Sequence, residues 1–165
     1  MVKTMQEVIS FPKAVKYLLK LGIDNGRVIR GYRLAVRSQI VYFDKEKNVF
    51  HVLVPSQRLE KLKPAKLVTH MDILALAKGK YCQTLGSVGK LPIEQQYYVV
   101  KISRDDIRCE CPDTIYNKNP LCVHKIAAII RIYLSFGEKF VEENYGEILR
   151  KVIRQYIKYK RTRAS

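Results

Sequence analysis

The strongest constraint on this chain is a group of three cysteines and one histidine in its second half. Cys109 and Cys111 form a C-x-C pair, and Cys122 and His124 form a C-x-H pair after a gap of ten residues. Three thiolates and one imidazole suit Zn²⁺, and four protein ligands complete its tetrahedral shell. Because no position is left for a substrate or an activated water, the pattern predicts a structural metal centre and argues against metal catalysis.

The residues around the four ligands predict a β-hairpin before them and a helix after them. The run from Tyr97 to Ile102 is β-prone, residues 103–106 are turn-like, and residues 107–110 lead back to the first cysteine pair. We expect Cys122 at the entrance of the following helix and His124 in its first turn. The apolar residues that recur at helical spacing in that helix, and that should pack on the strands, are Ile126, Ala127, Ile129, Ile130 and Tyr133.

This arrangement resembles the SWIM zinc finger, whose pattern is C-x-C, a variable gap and C-x-H. The resemblance covers residues 97–136 and leaves the rest of the chain unassigned. It implies that Zn²⁺ is the cofactor and that its ligands are Cys109, Cys111, Cys122 and His124. SWIM fingers occur in transposase-like, helicase-related and ubiquitin-ligase proteins, and in small partners of recombinase paralogues. This chain shows no motor, RING or transposase motif, so it resembles the partner type.

A disulfide framework and a chance cluster of buried thiols are the two alternatives to a metal site. Four cysteines is an even number, so disulfide pairing is arithmetically possible. The start of the chain has no apolar core region and no small-residue cleavage site, which predicts an intracellular protein, where disulfides are uncommon. Cys82 stands outside the pattern and is predicted to be a buried, small apolar residue.

The second strong feature is the charge. Thirty-one Lys and Arg against fifteen Asp and Glu give a formal net charge of +16. Such an excess attracts polyanions, and nucleic acid is the first candidate; no lipidation signal supports an anionic membrane surface. No apolar run approaches the roughly 18 residues that span a bilayer. These features predict a protein that has no membrane segment and is located in the cytoplasm or at the nucleoid.

The whole chain predicts an α+β fold in three regions. Residues 1–95 form an N-terminal α+β region, residues 96–136 the zinc finger, and residues 137–165 a basic C-terminal helix with a tail. The first region should begin with a helix that Ser10 caps and Gly22 ends. A second, short helix is expected over residues 69–79.

A three-stranded antiparallel meander is expected between those two helices. Asn25-Gly26 is interpreted as a turn, and residues 27–36, 40–43 and 49–54 as strands. In this interpretation Arg27, Arg33 and Arg37 lie on one side of the first strand. They form either ordinary solvated surface or a phosphate-facing sheet.

The C-terminal region predicts an amphipathic helix from Glu138 to about Lys160. Its apolar arc, which includes Ile148 and Ile153, is predicted to be a core face, with a partner-binding face as the alternative. Gly146 is the place where this helix would kink, and the last residues, KRTRAS, are expected to be disordered.

The combined features predict a zinc-stabilised, non-catalytic protein that binds nucleic acid through phosphate contacts. The polyanion is structured RNA, such as ribosomal RNA, or DNA. The alternative is a SWIM adaptor that binds another protein through the finger or the helix, for example a recombinase paralogue in DNA repair. A zinc-dependent transcription regulator or viral accessory factor would require sequence specificity, for which no signature is apparent. The residues predicted to contact nucleic acid are Arg150, Lys151, Arg154, Lys158, Lys160, Arg161, Arg163, Lys118 and Lys125.

An enzyme is not expected. The chain has no glycine-rich phosphate loop and no pairing of a nucleophile with a base that its sequence context supports.

Overall fold

The computed structural model describes residues 12–56, 87–88, 91–92 and 97–164, and these residues form an α+β fold as predicted. None of the helices in these ranges is long and apolar enough to cross a membrane. The expected helix over residues 69–79, Ser10 and Cys82 lie outside the described residues. The elements, in chain order, are α1 (Lys13–Leu21), α2 (Asn25–Ala35), β1 (Gln39–Asp44), β2 (Val49–Pro55), β3 (Ser87–Val88), β4 (Leu91–Pro92), β5 (Tyr97–Ile102), β6 (Ile107–Arg108), α3 (Pro112–Ile115), α4 (Val123–Phe136) and α5 (Glu138–Ala164).

One antiparallel sheet joins the N-terminal region to the predicted metal unit. Its strand order is β1-β2-β5-β6, and β3 and β4 form a separate pair. The hairpins β1–β2 and β5–β6 confirm the predicted pairing of residues 40–43 with 49–54 and of residues 97–102 with 107–110. Strand β2 also pairs with β5, across the predicted region boundary at residues 95 and 96. The sheet and α4 contribute to one core, whose buried sheet residues are Phe50, Val52, Val54, Val100, Ile102 and Ile107.

The prediction of a strand over residues 27–36 was wrong, because residues 25–35 form helix α2. Asp24 is its N-cap and accepts a hydrogen bond from the backbone nitrogen of Arg27 at 3.4 Å. Asn25-Gly26 is therefore the first turn of a helix, and the meander is a two-stranded hairpin. Apolar residues at positions 28, 34 and 36 fit a two-residue period, but the buried side of α2 follows helical spacing: Val28, Gly31, Leu34 and Ala35.

The C-terminal helix buries its apolar arc in the core, as predicted. Ile148 is 5% exposed and Ile153 is 2% exposed, so this arc is a core face and not an exposed partner-binding face. The helix runs through Gly146 without a break, and the Arg150–Glu142 ion pair spans that position. The prediction of a disordered end was wrong for residues 160–164, which continue the helix.

Two carboxylates join α5 to the N-terminal helices. Asp24 accepts hydrogen bonds from the Tyr156 hydroxyl at 2.7 Å and from the Lys160 ammonium at 3.3 Å. Glu142 accepts a hydrogen bond from the Tyr17 hydroxyl and forms an ion pair with Arg150. These contacts join α5 to α1 and to the start of α2.

We expect the Glu142 contact to stabilise the protein at neutral pH and to lose this effect in acid. The hydrogen bond from Tyr17, and the charge of Arg150, hold the pKa of Glu142 below its ordinary value of 4.5. A lowered pKa stabilises the folded state above the ordinary value, and the effect disappears as pH falls through the folded-state pKa. Because the Glu142 side chain is 39% exposed and solvent screens its charge, the Glu142→Gln variant at pH 6 should melt about 1–2 °C below the wild type, equivalent to about 0.5 kcal/mol.

Thermal unfolding of both proteins between pH 6 and pH 3 checks this prediction. The difference in melting temperature should shrink below pH 4.5, and acid effects common to both proteins cancel. A difference that stays constant across this range would contradict it.

Candidate metal centre

The four predicted ligands come together at the junction of the β5–β6 hairpin, α3 and α4. Cys109 directly follows β6, Cys111 is the N-cap residue of α3, and Cys122 is the N-cap residue of α4. His124 lies in the first turn of α4, as predicted. The three sulfur atoms and a ring nitrogen of His124 all lie within 4.8 Å of one another.

A short, internally bonded loop, residues 112–121, returns the chain from the first cysteine pair to the second, and we call it the metal loop. The Asp113 carboxylate accepts hydrogen bonds from the side-chain amides of Asn117 at 3.0 Å and Asn119 at 2.8 Å. The Asn119 side chain in turn accepts from the backbone nitrogen of Leu121 at 3.0 Å. The Lys125 ammonium donates to the Pro120 carbonyl at 3.0 Å and so ties the end of the loop to α4. This bonding positions Cys122 and His124 opposite the first pair.

The burial of the cluster indicates a metal site. Cys111 and Cys122 are fully buried, and His124 is only 7% exposed. Both ring nitrogens of His124 are buried without a hydrogen-bond partner among the described residues. A buried imidazole without any partner is costly, and a metal ion bound to one nitrogen removes part of that cost. The three thiols are free and not bridged.

The pKa values of the cluster reflect how close its four side chains lie. Hydrogen bonds with the other two cysteines, together with burial, raise the pKa of Cys109, whereas hydrogen bonds from Cys109 and Cys122 lower the pKa of Cys111. Burial lowers the pKa of His124, but the closeness of the Cys111 and Cys122 sulfurs outweighs this and raises it to about 9. Thiols this close cannot all ionise without a cation among them. The cluster is therefore compatible with a metal ion held in a zinc-finger arrangement.

Neighbouring side chains hold the ligands in place. The Tyr98 ring lies against the His124 ring, with centroids 4.6 Å apart, and the Thr114 hydroxyl lies 3.4 Å from the Cys111 sulfur. Arg27 of α2 approaches from the other side, and its guanidinium donates to the Leu121 carbonyl at 3.5 Å. Contacts of this kind fix ligand orientation in metal sites.

The structure separates the residues that were predicted to contact nucleic acid. Lys125 is only 6% exposed and is bonded to Pro120, so it does not belong to the exposed basic surface. Lys118 is exposed on the loop. Within the described residues, Arg150 pairs with Glu142, Lys160 pairs with Asp24, and the Arg163 guanidinium lies over the Tyr159 ring. The other predicted residues of α5 are exposed, and they are Lys151, Arg154, Lys158 and Arg161.

No protein-family model matches the chain, and neither a curated protein nor a solved structure matches it.

Proposed function

We propose that this is a zinc-stabilised, non-catalytic nucleic-acid-binding protein with a SWIM-type finger. The observation that carries the proposal is the orientation of α5, which buries its apolar arc and leaves an exposed row of cations in solvent. We call this row the α5 basic row, and it consists of Lys151, Arg154, Lys158 and Arg161.

Zinc is the ion that best matches the donor set. At Zn–S distances of about 2.3 Å, the ligand atoms of a tetrahedral site lie about 3.8 Å apart, which fits within the 4.8 Å spread of the cluster. Three thiolates select a soft or borderline ion, and four protein ligands leave no position for a reacting water. The role of the ion would be to join the β5–β6 hairpin to α4 and α3.

The α5 basic row has the geometry of a phosphate-binding surface. Its members are spaced three, four and three residues apart, so they share one helix face and extend over about 15 Å. Among the described residues, no carboxylate forms a salt bridge with Lys151, Arg154 or Lys158. The sequence after Glu147 contains no acid. Cations without carboxylate partners are the ones that gain most from nearby phosphates.

Replacing three members of the row tests the proposal. The Lys151→Gln, Arg154→Gln, Lys158→Gln triple variant should bind duplex DNA and structured RNA more weakly. Each lost duplex contact should reduce the slope of log affinity against log salt by about 0.9. Fluorescence anisotropy titrations at several salt concentrations measure both quantities.

The matched control removes the same charge from another helix. Lys13, Lys16 and Lys20 are exposed on α1 at similar spacing. The Lys13→Gln, Lys16→Gln, Lys20→Gln variant should retain most of the affinity and slope. Equal losses in both triple variants would show attraction by net charge alone, and would contradict the assignment to α5.

One observation favours the adaptor alternative. Ile115 and Tyr116, beside Cys111 in the metal loop, are 44% and 80% exposed, and exposed apolar side chains of this size are typical of protein contacts. This alternative applies if the protein binds neither RNA nor DNA. The adaptor function would then be supported if the wild type retained a partner protein that the Tyr116→Ser variant did not retain.

A further inference from the structure

A groove lies between α2 and the metal centre, and we call it the α2 groove. Its volume is about 590 Å³, within the range of small-ligand sites. Arg27 and Arg30 come from α2, Tyr98 comes from β5, and Asn117 and His124 come from the metal loop and α4. Ser56, Cys111, Pro112, Asp113 and Val123 also line it. These residues are far apart in the sequence, so only the fold brings them together.

Arg30 is the cation of this groove that is available to a ligand. Arg27 is occupied, because it bonds to Leu121, lies 3.8 Å from the Asp113 carboxylate and covers the Tyr156 ring. Asp113 is likewise engaged by two asparagine amides. Arg30 is exposed, and its Nε atom donates to the Gly26 carbonyl of its own helix at 3.3 Å. Its terminal nitrogens, which form no salt bridge within the described residues, can therefore meet an anion.

The aromatic wall of the groove is held in place by the metal centre. The Tyr98 ring lies 4.6 Å from the His124 ring, centroid to centroid, so a metal on His124 would fix its position. An arginine beside an aromatic ring is typical of surfaces that bind unpaired nucleotides, because the cation meets a phosphate and the ring stacks on a base.

A second cavity is a weaker candidate for an anion. It measures about 570 Å³ and lies across the sheet strands and their turns. Its three cations are Lys47, Lys101 and Arg108. They are matched in number by three carboxylates, Asp44, Asp105 and Asp106. In the α2 groove the single carboxylate is already bonded.

We propose that the α2 groove binds an unpaired nucleotide of a single strand, with Arg30 at a phosphate and Tyr98 against the base. The proposal rests on the nucleic-acid-binding function above and specifies its substrate as single-stranded RNA or DNA. A duplex keeps its bases stacked away from Tyr98, so it would not dock in the groove and would gain little from Arg30.

The test compares two arginines of one helix. Arg30 and Arg33 are both exposed on α2, but only Arg30 lines the groove. The full-length, zinc-loaded protein and its Arg30→Ala and Arg33→Ala variants are titrated with oligouridylate, oligothymidylate and a duplex DNA of the same length. Arg30→Ala should weaken binding of the single strands by about fivefold or more, and Arg33→Ala by less than about twofold. Neither substitution should weaken binding of the duplex by more than about twofold.

A third variant tests the stacking. Tyr98→Leu should lower single-strand affinity by about fivefold or more while it leaves duplex affinity unchanged. Its zinc content and melting temperature are measured first, and if the variant does not fold, the two arginine variants decide. A loss for oligouridylate alone would assign the groove to RNA, and a loss for both strands would assign it to unpaired strands in general.

The outcomes separate the two proposals. If Arg30→Ala and Arg33→Ala weaken all three probes equally, or if folded Tyr98→Leu binds single strands normally, the groove assignment is wrong and the α5 basic row remains. If the wild type binds none of the probes, nucleic-acid binding itself fails, and the groove assignment fails with it.

Discussion

The Cys122→Ser variant is expected to lose its zinc and to be less stable than the wild type by at least about 3 kcal/mol. Metal binding contributes folding free energy where the ligands come together only in the folded chain. Here the ion would join the hairpin, the loop and α4 at a fully buried position. For a chain of this size, the loss corresponds to a fall in melting temperature of roughly 6–12 °C or more. Elemental analysis of the purified protein and thermal unfolding by circular dichroism measure the two effects.

The choice of serine makes this test specific to the metal. Cys122 is the N-cap residue of α4 and forms no side-chain capping bond, whereas serine is a preferred N-cap residue. The substitution therefore does not weaken the start of the helix, and the main loss of stability should come from the missing ligand. The matched control is Cys82→Ser, which removes the one thiol outside the C-x-C and C-x-H pairs of the sequence and should keep one zinc per chain. A Cys122→Ser variant that kept its zinc and its melting temperature would show that the ligand set is wrong.

The Gly31→Val variant is expected to cost about 3 kcal/mol or more, because α2 and α4 touch at this glycine. A Cβ atom on Gly31 would lie 2.5 Å from Cγ2 and 3.1 Å from Cβ of Ile126, and 3.5 Å from the backbone nitrogen of Ala127. Real Cβ atoms do not approach other atoms at 2.5 Å, so the helices must separate. Overpacking of a close-packed core typically costs about 1–3 kcal/mol, and valine adds two further methyl groups at the same point.

The matched control is the same substitution at the start of the same helix. A Cβ atom on Gly26 would meet nothing within 4 Å, and Gly26 is exposed in the first turn of α2. Gly26→Val should therefore change the free energy of unfolding by less than about 0.5 kcal/mol. Denaturant unfolding of both variants gives the comparison, and equal losses at the two positions would contradict the proposed close contact. Since Ile126 follows His124 on α4, zinc content should be measured in parallel.

The elements that could be predicted from the sequence are those with strong local patterns. The two hairpins, α4 and the buried arc of α5 were predicted, because each has a clear hydrophobic period and a turn or cap beside it. Helix α2 was not predicted. Its apolar positions also fit the two-residue period of a strand, and its contact face includes a glycine, which carries no hydrophobic signal. Ile126 of α4 packs closely against Gly31 of α2, and no local sequence pattern indicates this contact.

The basic residues show the same limit. Lys125 was predicted to contact nucleic acid because it follows the metal motif, but its side chain is buried and its ammonium donates a hydrogen bond to the Pro120 carbonyl. Arg30 was not among the residues predicted to contact nucleic acid, but the helix places it at the groove beside Tyr98. A helical interpretation of residues 25–35, supported by the capping Asp24, would have found Arg30 on the exposed side.

What the sequence determined by itself is the chemistry that depends on residue type and short spacing. A C-x-C pair and a C-x-H pair at the edge of a hairpin and a helix specify a soft four-ligand site, and the count of charges specifies a polycation. The tertiary structure alone decided which cations face solvent and which side chains from α2, β5 and α4 share a groove. Burial and long-range proximity depend on how the elements pack on one another, and a pattern read along the chain does not contain that information.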